Sequence, residues 1–81
     1  MLKVYGSKLC PDCRQCISDF NAQKVEYEFL DITEDLANLK AFLALRDSNA
    51  AFEGVRASKG IGIPAIVKEN GEVALEWGGC C

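Results

Sequence analysis

Lys3-Val4-Tyr5-Gly6-Ser7-Lys8-Leu9-Cys10-Pro11-Asp12-Cys13 decides the fold. Lys3-Val4-Tyr5 is short and strand-like, and Gly6-Ser7 closes it. Pro11 suits the first position of a helix, where its fixed φ is already helical and its missing N–H is not needed. The predicted helix runs from Pro11 to about Gln23. Cys13, Cys16, Ile17 and Phe20 fall at i, i+3, i+4 and i+7, which is one helical face. Val25-Glu26-Tyr27-Glu28-Phe29-Leu30 then alternates apolar and acidic residues, as a half-buried strand does.

Beyond this unit the pattern continues. Asp31 and Thr33 are cap-type residues ahead of a second predicted helix with Leu36, Leu39, Phe42 and Leu43 on one face, ending near Arg46. Ser48 or Asn49 begins a shorter third helix to about Lys59, which Gly60-Ile61-Gly62 breaks. Ile63-Pro64-Ala65-Ile66-Val67 reads as a strand, Asn70-Gly71 as a hairpin turn, and Val73-Ala74-Leu75 as the returning strand. The order is β-α-β-α-α-β-β, an α/β (α+β) chain. It predicts a mixed four-stranded sheet with helices packed on it. The first βαβ unit is parallel with a right-handed crossover, and the closing hairpin is antiparallel.

Eighty-one residues correspond to a single domain over 1–81. Apolar residues make up 49% and charged residues 26%, ordinary for a globular chain. A net charge of −3 without a Lys/Arg cluster argues against nucleic-acid binding. No positive segment followed by a long apolar run opens the sequence. The expectation is therefore a cytoplasmic monomer without signal peptide or membrane span. Five cysteines are present, and three of them crowd into Cys10, Cys13 and Cys16. An odd, clustered set points to reactive or metal-binding chemistry rather than a disulfide framework.

Cys10-Pro11-Asp12-Cys13 is a Cys-X-X-Cys motif at a strand–helix junction. Cys10 falls where an N-cap falls. The unpaired N–H groups of the first turn and the positive end of the helix dipole there favour a thiolate. Cys13 follows one turn later, near enough to close a disulfide with it. The expected reaction has Cys10 attack a substrate disulfide and Cys13 release the reduced product from the mixed disulfide. Asp12 opposes thiolate formation and Lys8 assists it. Cys16 shares an apolar face with Ile17 and Phe20, so it reads as a buried, inert thiol, with a second resolving thiol as the alternative. A rival reading makes Cys10, Cys13 and Cys16 ligands of zinc or an iron–sulfur cluster. Having no histidine, the chain would then need Cys80 or Cys81 as fourth ligand. A third reading is a redox-sensing binding module without turnover.

The strand, Cys10-Pro11-Asp12-Cys13, the helix, Gly62-Ile63-Pro64 and Gly78-Gly79 together resemble glutaredoxin over nearly the whole chain. The likeness is greatest to small glutaredoxin-related proteins that carry Cys-Pro-Asp-Cys and Ile-Gly-Ile-Pro. Asp12 departs from the usual Cys-Pro-Tyr-Cys. The resemblance implies a thioredoxin-like fold and reduction of protein or glutathione mixed disulfides. No bound cofactor is implied, and glutathione is the candidate reductant. It implies Cys10 and Cys13 as the catalytic pair, with no metal. Lys8, Pro11, Asp12, Ile63, Pro64, Gly78 and Gly79 are the implied substrate site. It further implies a cis Ile63–Pro64 bond, with the Ile63 backbone offered to the substrate. Family members continue past the Gly-Gly into a helix that holds glutathione. Gly78-Gly79-Cys80-Cys81 lacks it, so weak glutathione binding and at most auxiliary thiols are expected there.

Overall fold

The computed structural model describes residues 1–75. Four strands, β1 (Leu2–Gly6), β2 (Tyr27–Asp31), β3 (Ala65–Val67) and β4 (Val73–Ala74), form one mixed sheet in the order β2-β1-β3-β4. Three helices accompany it, α1 (Pro11–Ala22), α2 (Leu36–Ser48) and α3 (Glu53–Ser58), with a 3-10 turn over Ala50–Phe52 leading into α3. The element order matches the sequence expectation. β1 and β2 are parallel with Val4 opposite Phe29, while β1–β3 and β3–β4 are antiparallel.

The sheet separates two apolar clusters. Val4, Cys16, Phe20 and Ile66 pack together with Leu2, Tyr27 and Phe29, so the inward stripe of α1 covers this face. Phe42, Phe52, Ile63 and Ala65 pack on the other face with Tyr5, Leu39 and Leu45. Phe42 and Phe52 meet edge to face at 5.8 Å and 81°. Burying each side chain contributes about 1.5–3 kcal/mol. Cys10, Cys13 and Ile32 also belong to this second cluster, at the end where β1 hands the chain to α1.

Several boundaries differ from the sequence reading. α2 begins after Asp35, whose carboxylate accepts the Ala37 N–H at 2.8 Å, rather than after Asp31 or Thr33. Asp31 instead ends β2, and its Oδ1 accepts the N–H and hydroxyl of Thr33 at 2.8 and 2.6 Å. That local turn occupies the carboxylate and delays the helix. β2 starts at Tyr27, because Val25 N–H is spent on the Phe20 carbonyl at the end of α1. On α2 only Phe42 is buried, and Leu36 is 74% exposed despite its place in the apolar stripe. The Asn70-Gly71 turn forms as expected. Gly71 has φ +90°, and Lys68 N–H donates to the Glu72 carbonyl at 2.8 Å.

Candidate active site

Cys10 is the N-cap of α1, with extended backbone (φ −92°, ψ 125°), and its carbonyl accepts the Arg14 N–H at 3.1 Å. Its side chain makes no cap hydrogen bond, so the sulfur takes the place where a serine or aspartate oxygen would otherwise satisfy the first turn. Asp12 adds a negative charge in that same turn. Cys10 is 6% exposed and Cys13 is fully buried.

Cys13 points inward, toward β1. The Ser7 N–H donates to its Sγ at 3.4 Å. A Cβ built on Gly6 would lie 2.8 Å from that sulfur and 3.2 Å from Phe29 Cε1, so only glycine leaves room for the thiol. Burial pushes the Cys13 thiol up from its ordinary value. The Ser7 N–H offsets this in part, the charges of Asp12 and Asp31 add to it, and Arg14 opposes them. Cys13 and Cys16 are free thiols.

A chain of hydrogen bonds runs behind the motif. Ser7 Oγ accepts the Leu9 N–H at 3.1 Å and lies 3.0 Å from Thr33 Oγ1, which donates to Asp31. The Thr33 hydroxyl holds the Asp31 carboxyl below the usual range, against the effect of burial. Among the described residues, Asp31 Oδ2 is buried with no hydrogen-bond partner.

An open cleft of about 330 Å³ lies in front of Cys10, lined by Ser7, Leu9, Cys10, Pro11, Ile32, Thr33, Ile61 and Ile63. Through Ile32, Thr33 and Ile61 it continues into a groove of about 570 Å³ along α2, past Leu36, Leu39, Phe42 and Leu43 to Arg46 and Lys59. The wall carrying Ile61 is held from α2. Arg46 donates from Nε to the Ile61 carbonyl at 3.0 Å and from Nη2 to the Gly60 carbonyl at 2.6 Å. Gly62 has φ +96°, and a Cβ there would fall 2.9 Å from the Phe52 ring, so both conformation and space demand glycine.

Of the residues implied for the substrate site, Pro11 and Ile63 line this cleft. The Ile63–Pro64 bond is cis, and Pro64 is buried among the core residues rather than lining the cleft. Lys8 faces a separate shallow depression with Arg14, Ile17, Ser18 and Asn21, and its carbonyl accepts Arg14 Nη1 at 2.8 Å. Asp12 is half-buried on the first turn of α1 and lines neither hollow. Gly78 and Gly79 lie outside the described residues. Leu9 and Ile61 are cleft residues that the sequence reading did not single out. Their signal was an exposed apolar residue in a loop directly beside each motif, and Leu9 is 78% exposed.

Cys16 does not join Cys10 and Cys13. It belongs to the cluster on the other face, with Val4, Phe20 and Ile66. Among the described residues no group of three Cys, His, Asp or Glu side chains is gathered as metal ligands would be. No helix among them is long and apolar enough to cross a membrane.

No family model and no solved structure matches the chain. An uncharacterized protein of Haemophilus influenzae is 36% identical over 73 residues, which cover 90% of this chain and 85% of that protein. The protein described here therefore belongs to the same family as this uncharacterized Haemophilus influenzae protein.

Proposed function

We propose that the protein is a thiol–disulfide oxidoreductase with a thioredoxin-like fold, related to the glutaredoxins and acting in the cytoplasm as a monomer. The observation that carries the reading is Cys10 at the N-cap position of α1, at the mouth of an apolar cleft. The N–H groups of a helix's first turn and its dipole favour a thiolate over a thiol at such a position. Cys10 attacks one sulfur of a substrate disulfide; that bond breaks, and its other sulfur leaves as a thiolate. The Cys13 thiolate then attacks Cys10 Sγ and expels the reduced substrate.

The substrate disulfide is that of a protein or of a glutathione adduct. A cleft lined by Leu9, Ile32, Ile61 and Ile63 suits an extended apolar stretch beside the target cysteine. The bound state needs no cofactor, and an external thiol donor such as glutathione resets the pair. The test is a disulfide-reduction assay on hydroxyethyl disulfide and on insulin, with glutathione or thioredoxin reductase as alternative donors. Turnover that disappears in Cys10→Ser supports the reading. Equal turnover in that variant refutes it.

A further inference from the structure

We propose that the substrate of the Cys10 site is a protein segment rather than glutathione disulfide: its apolar side chains seat in the groove along α2, and an acidic side chain meets Arg46 and Lys59. The inference rests on the oxidoreductase reading and names the substrate class of that site.

Exposed apolar surface gathers in one place. Among the described residues the exposed large apolar side chains are Met1, Leu9, Leu36, Leu43 and Ile61. All but Met1 line the cleft before Cys10 or the groove that continues it. Single exposed apolar residues are ordinary, but a contiguous set around a hollow marks a surface that a partner covers. Glutathione, whose surface is mostly charged and amide groups, has little apolar area to lay there.

The groove also has a length. Leu36, Leu39, Leu43 and Arg46 follow one stripe of α2, and all four line it. From Leu36 to Arg46 the helix rises about 15 Å at ~1.5 Å per residue. An extended chain covers that distance in about 4–5 residues at ~3.3 Å each, whereas a tripeptide reaches only about 10 Å. Ile32, Thr33 and Ile61 line both hollows, so a chain whose cysteine lies at Cys10 passes directly onto α2.

Charge then sets the register. No Asp or Glu lines cleft or groove, and the charged residues of the groove are Arg46 and Lys59. The whole chain carries a net charge of −3, so this positive end runs against the general field. The Arg46 guanidinium lies on the Gly60 and Ile61 carbonyls, with the Asp47 carboxylate 3.8 Å away. Lys59 is exposed at the end of α3 and forms no ion pair among the described residues. Its backbone is held, because its N–H donates to the Arg56 carbonyl at 3.2 Å. An acidic side chain paired there gives orientation and discrimination more than affinity.

The test uses three peptides, each with one cysteine held as its mixed disulfide with 2-mercaptoethanol. The first has leucines on both sides of the cysteine and glutamates about four to six residues from it. The second replaces the glutamates by lysines, and the third replaces the leucines by serines. Reduced protein is mixed with each in a single turnover. Two electrons pass from Cys10 and Cys13, which close a disulfide, and the peptide and 2-mercaptoethanol both leave as thiols. The first peptide should react about tenfold faster than the third or glutathione disulfide, and about fivefold faster than the second. Lys59→Glu should invert the order of the first two, a reversal that loss of folding does not produce. A first peptide no faster than the second, the third or glutathione disulfide, or an order unchanged in Lys59→Glu, overturns the assignment and leaves the oxidoreductase reading standing. Self-association at assay concentration that Leu36→Asp abolishes, read by sedimentation velocity, gives the groove to a second copy and also overturns it. Fluorescence anisotropy with peptides carrying serine for cysteine separates groove from chemistry. Binding of the glutamate over the lysine peptide, with no disulfide reduced, overturns the oxidoreductase reading and keeps the groove's partner.

Discussion

Replacing Gly6 by alanine places a methyl group 2.8 Å from Cys13 Sγ and 3.2 Å from Phe29 Cε1. Neither neighbour yields easily. Cys13 Sγ is held by the Ser7 N–H, and Phe29 packs in the cluster beneath α1. Nor does the backbone of Gly6, because its carbonyl accepts the Ile32 N–H at 2.9 Å and the residue pairs with Asp31. Overpacking of this kind costs about 1–3 kcal/mol. For a domain of this size each kcal/mol lowers Tm by about 4–8 °C. The sulfur is the nearer obstacle, so the cost depends on it. In a Cys13→Ala background the sulfur is gone, the vacated space accepts the new methyl, and Gly6→Ala should cost less than half as much. Urea denaturation of the reduced parent, both single variants and the double variant closes the cycle. Equal cost of Gly6→Ala in the two backgrounds would refute the inward placement of Cys13 against Gly6.

In the reduced protein, iodoacetamide at neutral pH should label Cys10 well before Cys13, read by mass mapping; preferential labelling of Cys13 reverses their roles. Cys13 also gives stability a pH dependence: its folded thiol holds its proton to higher pH than the unfolded one. Stability should therefore be full below the unfolded value of about 8.5 and fall as pH rises through it. Cys13→Ala should flatten that decline in denaturant melts between pH 7 and 10. Cys16→Ser sets a hydroxyl among Val4, Phe20 and Ile66 and should cost about 1–3 kcal/mol while turnover stays unchanged. Thr33→Val removes the hydroxyl that keeps the Asp31 carboxyl low. Asp31 contributes stability above its unfolded value near about 4, lost as pH falls through the lower folded value. The variant should therefore be less stable at pH 7 and lose less of its stability on acidification.

What the sequence made legible follows from how local each signal is. Pro11 after Cys10, Asn70-Gly71 and the period of Cys13, Cys16 and Phe20 are decided by near neighbours, and the helix, the turn and the buried face formed accordingly. The start of α2 was less legible, because Asp31, Thr33 and Asp35 are all cap-type residues within one short stretch. Only the return of the Asp31 carboxylate to Thr33 selects Asp35. Gly6 looked like a strand terminator. Its other role depends on a sulfur from the next element, a tertiary contact that no local pattern encodes. The same holds for the cleft: Cys10, Pro11 and Ile63 announce themselves by motif. Leu9 and Ile61 matter only because the sheet brings two separate loops face to face.

The guanidinium groups of Arg46 and Arg56 act as rivets. Arg46 fastens the Gly60 and Ile61 carbonyls to α2, and Arg56 fastens the carbonyls of Arg46 and Asn49 to α3. The far jaw of the cleft thus travels with two helices as one body. Under the proposed function a disulfide substrate would meet a preset gap rather than a flap that folds over it, and selection would fall on the width and apolarity of the segment beside its cysteine. Loosening the jaw with Arg46→Met should widen the range of disulfides accepted rather than slow the attack itself.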